Sequence, residues 1–421
     1  MMRQWKTTMM MLAASGMLTA CAGQATMNDD ADDAGGVVQT DDGKEDAIGN
    51  YEAPETLVPG ASRRLASNIV GTDVGKSFGT DDAHVPYPDT YWPFTDDGID
   101  ASWHGGDSAL AKFMKLADAS NLQAAKDWEH NNHGNGVPGV GDWWGHCPGW
   151  TGAAMANAPI KHAVNATFDG GKFVTCSAGS TGCTKFEIGD INALMAEVYV
   201  DGDSSFIGDR CDTAPTSVKR DKNGRITTAG CGGVNPGSLL IVLGARMKKQ
   251  HLPFAIDAQN DYNTDQIWNQ PAYRYTVNRY QALTTAQAAN LVVHGTMTGD
   301  AKKYPYNPAA KSFALVDVTL MWVSERGPNT SAVSGLNSTR ETRMVAVIEL
   351  DKPASNSTAK ILGGEFVDDA SVGADRLTVP PFLWVIHDAG ADDLPTDVNG
   401  DDHNPFVKPS LVKQLIALGQ Q

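Results

Sequence analysis

One thiol sits where nucleophilic chemistry is easily built, in the run Trp143-Trp144-Gly145-His146-Cys147-Pro148-Gly149-Trp150. Proline directly after Cys147 suits the first turn of a helix, and the small residues from Gly149 to Ala156 can continue it. Cys147 is therefore expected to be the N-cap. Free N–H groups and the positive end of the helix dipole favour the thiolate there, which is the form that attacks an acyl carbon. Cysteine hydrolases and acyltransferases arm their nucleophiles in this way. The competing reading of the segment is a structural cysteine in an aromatic-rich turn.

Counting cysteines favours the reactive reading. The chain has six. Arg3 and Lys6 precede an apolar run from Met9 to Ala14, followed by Leu18-Thr19-Ala20-Cys21. This is the layout of a lipoprotein signal peptide over residues 1–21, with Cys21 in a lipobox as the lipidated residue. The run is too short to span a bilayer. In the oxidising setting that export implies, Cys176 with Cys183 and Cys211 with Cys231 are the economical disulfides, each pair bracketing a local loop. Cys147 is left over, and catalysis is the usual reason for an unpaired thiol in an exported protein. The expected location is the outer membrane or cell surface, through the lipid anchor.

The formal net charge of −17 excludes the basic face that nucleic-acid binding needs. Residues 22–48 hold two acidic runs, Asp29 to Asp33 and Asp41 to Asp46, and hardly any bulky apolar residue. They are expected to be a disordered tether. The remainder, 49–421, is large enough to bury a sizeable core.

The elements that must position the thiol follow from the periodicity. Helical spacing runs over 108–116, 121–129, 186–199 and 236–249, around the helix that Cys147 would begin. The period then changes to two over 251–257, 266–270, 313–323, 342–350 and 359–366. A helical part at about 91–249, a β-rich part at about 251–390 and a tail over 391–421 make an α+β domain. A nucleophile at a helix N-terminus packed on an antiparallel sheet is a papain-like core. That layout puts the base on a strand: His251 opens one, and Asn269 on the return strand is the preferred orienting residue. Asp257 lies further along the first strand, too far from His251 to orient it at about 3.3 Å per residue. His130, His133, His146 and His162 are reserves.

The run Ile267-Trp268-Asn269-Gln270-Pro271-Ala272-Tyr273 resembles the Val-Trp-Asn-Gln-Pro elicitor segment of the secreted transglutaminases of Phytophthora. Trp143-Trp144-Gly145-His146-Cys147-Pro148-Gly149-Trp150 resembles their nucleophile segment. Tyr91-Trp92-Pro93-Phe94, Asp190-Ile191-Asn192-Ala193-Leu194, Phe206-Ile207-Gly208-Asp209-Arg210-Cys211, Gly363-Gly364-Glu365-Phe366 and Pro381-Phe382-Leu383-Trp384 agree in the same order. The resemblance implies a Cys-dependent protein-glutamine γ-glutamyltransferase acting on proteins that supply glutamine and lysine. Cys147 would form a thioester, His251 would protonate the leaving ammonia, and Trp143, Trp144, Trp150 and Trp268, with Pro271, would line the acyl site against water. Ordinary core packing is the alternative for each tryptophan.

Two departures stand out. Pro148 replaces the family's Asn after the nucleophile, and Asn235-Pro236-Gly237-Ser238-Leu239-Leu240 lacks a histidine that relatives often carry after Asn-Pro. No cofactor is required for the chemistry. Calcium dependence is implied by the resemblance, with Asp397, Asn399 and Asp401 as weak ligands in an Asx-rich turn that lacks the closing acid of an EF-hand. The alternatives are a papain-like cysteine peptidase or amidase, and a degenerate lipid-anchored binding protein.

Overall fold

The computed structural model describes residues 47–138, 144–211, 213–228, 230–258, 269–376, 378–392 and 403–421. Helices are the single turn α1 (Pro54–Leu57), α2 (Ala109–Ala117), α3 (Leu122–His133), α4 (Cys147–Ala156), α5 (Ile188–Tyr199), α6 (Pro236–Val242), α7 (Thr285–His294) and α8 (Pro409–Gln420). Strands are β1 (Ser77–Gly79), β2 (Val164–Asp169), β3 (Lys172–Thr175), β4 (Thr184–Phe186), β5 (Ser204–Gly208), β6 (Phe254–Ile256), β7 (Gln270–Leu283), β8 (Ser312–Val323), β9 (Thr339–Leu350), β10 (Ile361–Phe366) and β11 (Phe382–Ile386). No helix among the described residues is long and apolar enough to cross a membrane.

The main sheet runs β10-β9-β8-β7-β6-β11-β5, with β1 pairing on β7, and its ladders are antiparallel. Because side chains alternate across a strand, each strand feeds two cores. Leu383 and Val385 of β11 join Phe254 and Ile256 of β6 on one face, beneath Leu239 and Leu240 of α6. Trp384 and Ile386, with Ala255, point to the other face, into the core built by α2, α4, α5 and α8. Further along that second face, α7 covers Phe313 and Leu315 of β8 and Val345 and Val347 of β9.

The α+β class and the antiparallel sheet agree with the sequence pattern, with differences of arrangement. The section expected to be helical also holds β2 to β5, and β5 pairs with β11, so the two sections share one sheet. The second section carries α7, whose start is closed by a Thr284–Gln287 capping box and whose end is Gly295 in the left-handed region. Only three residues of 251–257 are strand. Beyond α6 the helix widens into a π-type segment, Leu243–Gln250, and uses up the residues before β6. β11 is a short apolar run that periodicity does not single out.

Both disulfides are present: Cys176–Cys183 has a Cα separation of 5.9 Å and Cys211–Cys231 one of 4.5 Å. Cys147 forms no disulfide and is buried.

Candidate active site

Helix α4 packs on β6, β7 and β11 and carries Cys147 at its first position, with His146 as N-cap. This corrects the expected cap by one residue: Pro148 needs no N–H in the first turn, so the helix can begin at the cysteine itself. The thiol is 6% exposed.

Asn269 reaches it from the start of the β7 arm. Its Nδ2 donates to Cys147 Sγ at 3.6 Å, while its Oδ1 accepts from Trp384 Nε1 at 2.9 Å. An indole N–H can only donate, so Trp384 fixes the amide with its oxygen away from the sulfur and its N–H₂ towards it. Thr151, one turn along α4 from Cys147, donates its hydroxyl to the Asn269 backbone carbonyl. The backbone of Asn269 lies in the left-handed region at φ +54, which Asn tolerates better than most residues. Helix and strand are thus tied at the same residue that meets the sulfur.

Asp257 stands at this end as well. The β6–β7 ladder ends at Ile256↔Gln270, so the next position on each strand is Asp257 and Asn269. Ala255 faces the α4 side, and Asp257, two residues on, follows it to that side. The residue is 1% exposed.

His251 is not part of this group. It follows the π-type segment as its C-cap, left-handed at φ +58 and exposed, with Nδ1 3.1 Å from the Gly79 carbonyl oxygen. Gly79 pairs with Arg274, five positions along β7 from Asn269, a distance of roughly 16 Å on a strand. The expected strand-opening histidine is displaced because the helix runs on to Gln250.

The remaining candidates separate in the same way. Trp150 belongs to the core, 1% exposed, with its indole N–H on the Tyr87 carbonyl at 3.2 Å, the packing alternative for this tryptophan. Trp144 is half-buried, and its carbonyl accepts the Phe94 N–H at 2.9 Å. Pro271 is buried in β7 opposite Ala255. Trp143, Trp268, Cys21 and the calcium candidates Asp397, Asn399 and Asp401 lie outside the described residues. Leu239 and Leu240 line the sheet face opposite α4, so a missing histidine there takes nothing from the surroundings of Cys147. His130 pairs with Asp97 at 2.9 Å, and His162 is exposed.

His146 adjoins the nucleophile in sequence, but its ring turns into a buried group with Glu129, His133 and Glu197. Burial lowers its pKa, against the pull of Glu129. Sequence reasoning missed Thr151 and Trp384 as partners of the site. Trp384 lies in a segment that carries the family resemblance, whereas Thr151 has no local signal.

A thiol outside any disulfide at a helix start, hydrogen-bonded by an asparagine from the adjoining sheet, defines a mixed helix and antiparallel-sheet protein with a cysteine-centred site. The model of the transglutaminase elicitor family matches residues 129–399, and the chain belongs to that family. The fold is similar to the crystal structure of the GP42 transglutaminase from Phytophthora sojae, with a TM-score of 0.59 at 19% identity, covering 88% of this chain and 99% of that one. No curated protein matches the sequence.

Proposed function

We propose that the protein is a protein-glutamine γ-glutamyltransferase with Cys147 as nucleophile. The observation that carries this reading is the Trp384–Asn269–Cys147 chain of hydrogen bonds, which aims a fixed amide donor at a thiol on a helix N-terminus. Family membership supports the same reaction class, and a helix-borne thiol beside a sheet supports a papain-like core.

In the proposed reaction Cys147 Sγ attacks the γ-carboxamide carbon of a protein glutamine. Asp257 takes the thiol proton and returns it to the departing ammonia, in the role first expected of His251. Amide N–H groups at the start of α4, with Asn269 Nδ2, stabilise the oxyanion. A lysine amine then attacks the thioester carbon, an isopeptide bond forms, and sulfur leaves with its proton restored. Trp144, with Trp143 and Trp268, would keep water from the thioester.

Two disulfides support an exported protein. Lipid anchoring at Cys21, an outer-membrane or surface location, and calcium dependence through Asp397, Asn399 and Asp401 belong to the same proposal. The test is incorporation of a labelled primary amine into a glutamine-rich protein, with and without calcium, by the native chain and by Cys147→Ala. Label lost with the thiol supports acyl transfer. Cys147-dependent ammonia release without label would make the protein an amidase, and function that survives Cys147→Ala would make it a binding protein.

A further inference from the structure

Behind the nucleophile helix lies a second constellation that the proposed reaction does not use. Glu129 and His133 stand one turn apart at the end of α3, His146 is the N-cap of α4, and Glu197 comes from α5. All four are at most 1% exposed. One ligand-capable atom from each lies within 4.8 Å of the others. His146 Nε2 is 3.3 Å from Glu129 Oε1 and 3.2 Å from Glu197 Oε2, and His133 Nδ1 is 3.5 Å from Glu129 Oε1.

We propose that Glu129, His133, His146 and Glu197 form a structural site for zinc(II), which pins the start of the nucleophile helix to α3 and α5.

Geometry is the first support. Zinc holds nitrogen and oxygen ligands at about 2.0–2.1 Å, and the edge of a tetrahedron of that radius is about 3.3 Å. The three separations above lie close to it. Orientation is the second. Asn404 Nδ2 donates to Glu129 Oε2 at 3.1 Å, and the Asn404 backbone N–H donates to Glu197 Oε1, so the outer oxygen of each carboxylate is held and the inner ones converge. Such outer contacts orient metal ligands. Glu197 Oε2 is fully buried and accepts no hydrogen bond. Phe94 stacks on the His133 ring at 4.6 Å between centroids and meets the His146 ring edge-on at 5.0 Å, fixing both imidazoles by packing.

Charge is the third support. Two carboxylates converging in a fully buried volume need compensating charge when ionised, and a dication would supply it. Nitrogen and carboxylate donors in a tight tetrahedral array suit zinc rather than calcium, which takes more oxygens at longer range. Gly98 closes one side: a Cβ there would stand 2.4 Å from Glu129 Oε1 and 3.0 Å from His146 Nε2. Four protein ligands and that wall leave no position for a water, as in structural rather than catalytic sites.

The test is metal analysis of the purified whole chain by mass spectrometry, with thermal unfolding before and after chelation and after zinc is restored. The expected result is stoichiometric zinc, a midpoint that falls on stripping and returns with zinc, and strong visible bands of tetrahedral cobalt(II) in the cobalt-loaded chain. Glu197→Gln, which keeps the Asn404 contact, and His133→Gln should lose the metal and the cobalt bands while the backbone circular dichroism is kept. Asn404→Ala should weaken zinc affinity by about 10–100-fold. An Asp397→Asn, Asp401→Asn double variant should bind zinc like the native chain. The proposal is overturned if the chain neither contains nor takes up zinc. It is also overturned if the Glu197→Gln chain, folded by circular dichroism, binds zinc as tightly as the native one. These readouts do not depend on transferase activity, so the site stands or falls apart from the proposed reaction.

Discussion

Replacing Asn269 by Asp changes the chemistry at the thiol with almost no change of shape. The carboxylate can still accept the Trp384 indole N–H through Oδ1. The atom facing sulfur turns from a donor into a charged acceptor. Unit charges at the native 3.6 Å separation repel by about 4.6 kcal/mol at an effective dielectric constant of ~20. The lost hydrogen bond to an ionised sulfur adds about 1.5–3 kcal/mol. Counting half the repulsion, because the carboxylate shares its charge with the oxygen on Trp384, and the smaller hydrogen-bond value leaves about 4 kcal/mol. That corresponds to a thiolate population roughly 500- to 1000-fold smaller at neutral pH. A carboxyl is the stronger acid, so the proton of the pair stays on sulfur. The assay is the ultraviolet absorbance of the thiolate against pH, taken relative to Cys147→Ala, with amine incorporation measured in parallel. A thiolate titration superimposable on that of the native chain would refute the reasoning, because it would mean that the Asn269 amide does not act on the sulfur.

Trp384→Phe leaves Asn269 Oδ1 buried without its donor, which should lower stability to urea by about 1–3 kcal/mol and cut amine incorporation as the amide loses its fixed orientation. Lost stability with undiminished turnover would reduce Trp384 to a packing residue. Asp89 is a second pH probe: burial pushes its carboxyl up to about 8, against the opposing pull of the Thr90 N–H and the Asn192 and Trp92 side chains. The folded chain then keeps a proton that the unfolded chain releases above the ordinary value of 3.8. The stabilisation is fully present below that value and is lost as pH rises towards 8. Asp89→Asn should therefore flatten the fall in unfolding free energy between pH 5 and pH 8, and equal slopes in the two chains would count against a neutral Asp89.

The parts of the site that were legible in the sequence are those fixed locally. Pro148 and the small residues after it mark a helix start at Cys147, and the loop spacing of the other cysteines leaves that thiol outside the disulfides. Asn269 was readable as a residue on a return strand. What failed was the position of His251, because a histidine in the left-handed region carries no signal of its own. Nor does sequence pattern tell an α-helix that stops at Val242 from one that widens and runs on to Gln250. Thr151 and Trp384 were invisible as partners of Asn269, since they meet it across 118 and 115 positions of chain. The spacing of Glu129 and His133, four residues apart on one helix face, is a visible ligand pair. Its completion by Glu197 depends on how α5 packs. The fold class was readable from the change of period, but the sharing of one sheet through β5 and β11 was not, because each is only five residues long.

The proposed proton partner of Cys147 is Asp257 in place of the expected His251, and two substitutions decide between them. Asp257→Asn keeps the shape but removes the ability to hold a proton. If Asp257 accepts the thiol proton and returns it to ammonia, amine incorporation should fall by about 10²–10⁴, the usual worth of a positioned acid or base. Addition of a nucleophile to a thioester supplied ready-made should suffer less, because that half-reaction expels sulfur rather than ammonia. His251→Ala should leave both steps near native, since its ring is exposed and held at the Gly79 carbonyl, level with Arg274 rather than Asn269. The opposite pair of results would place the base on His251. It would also require His251 to leave the Gly79 carbonyl, which stands level with Arg274, five positions along β7 from Asn269.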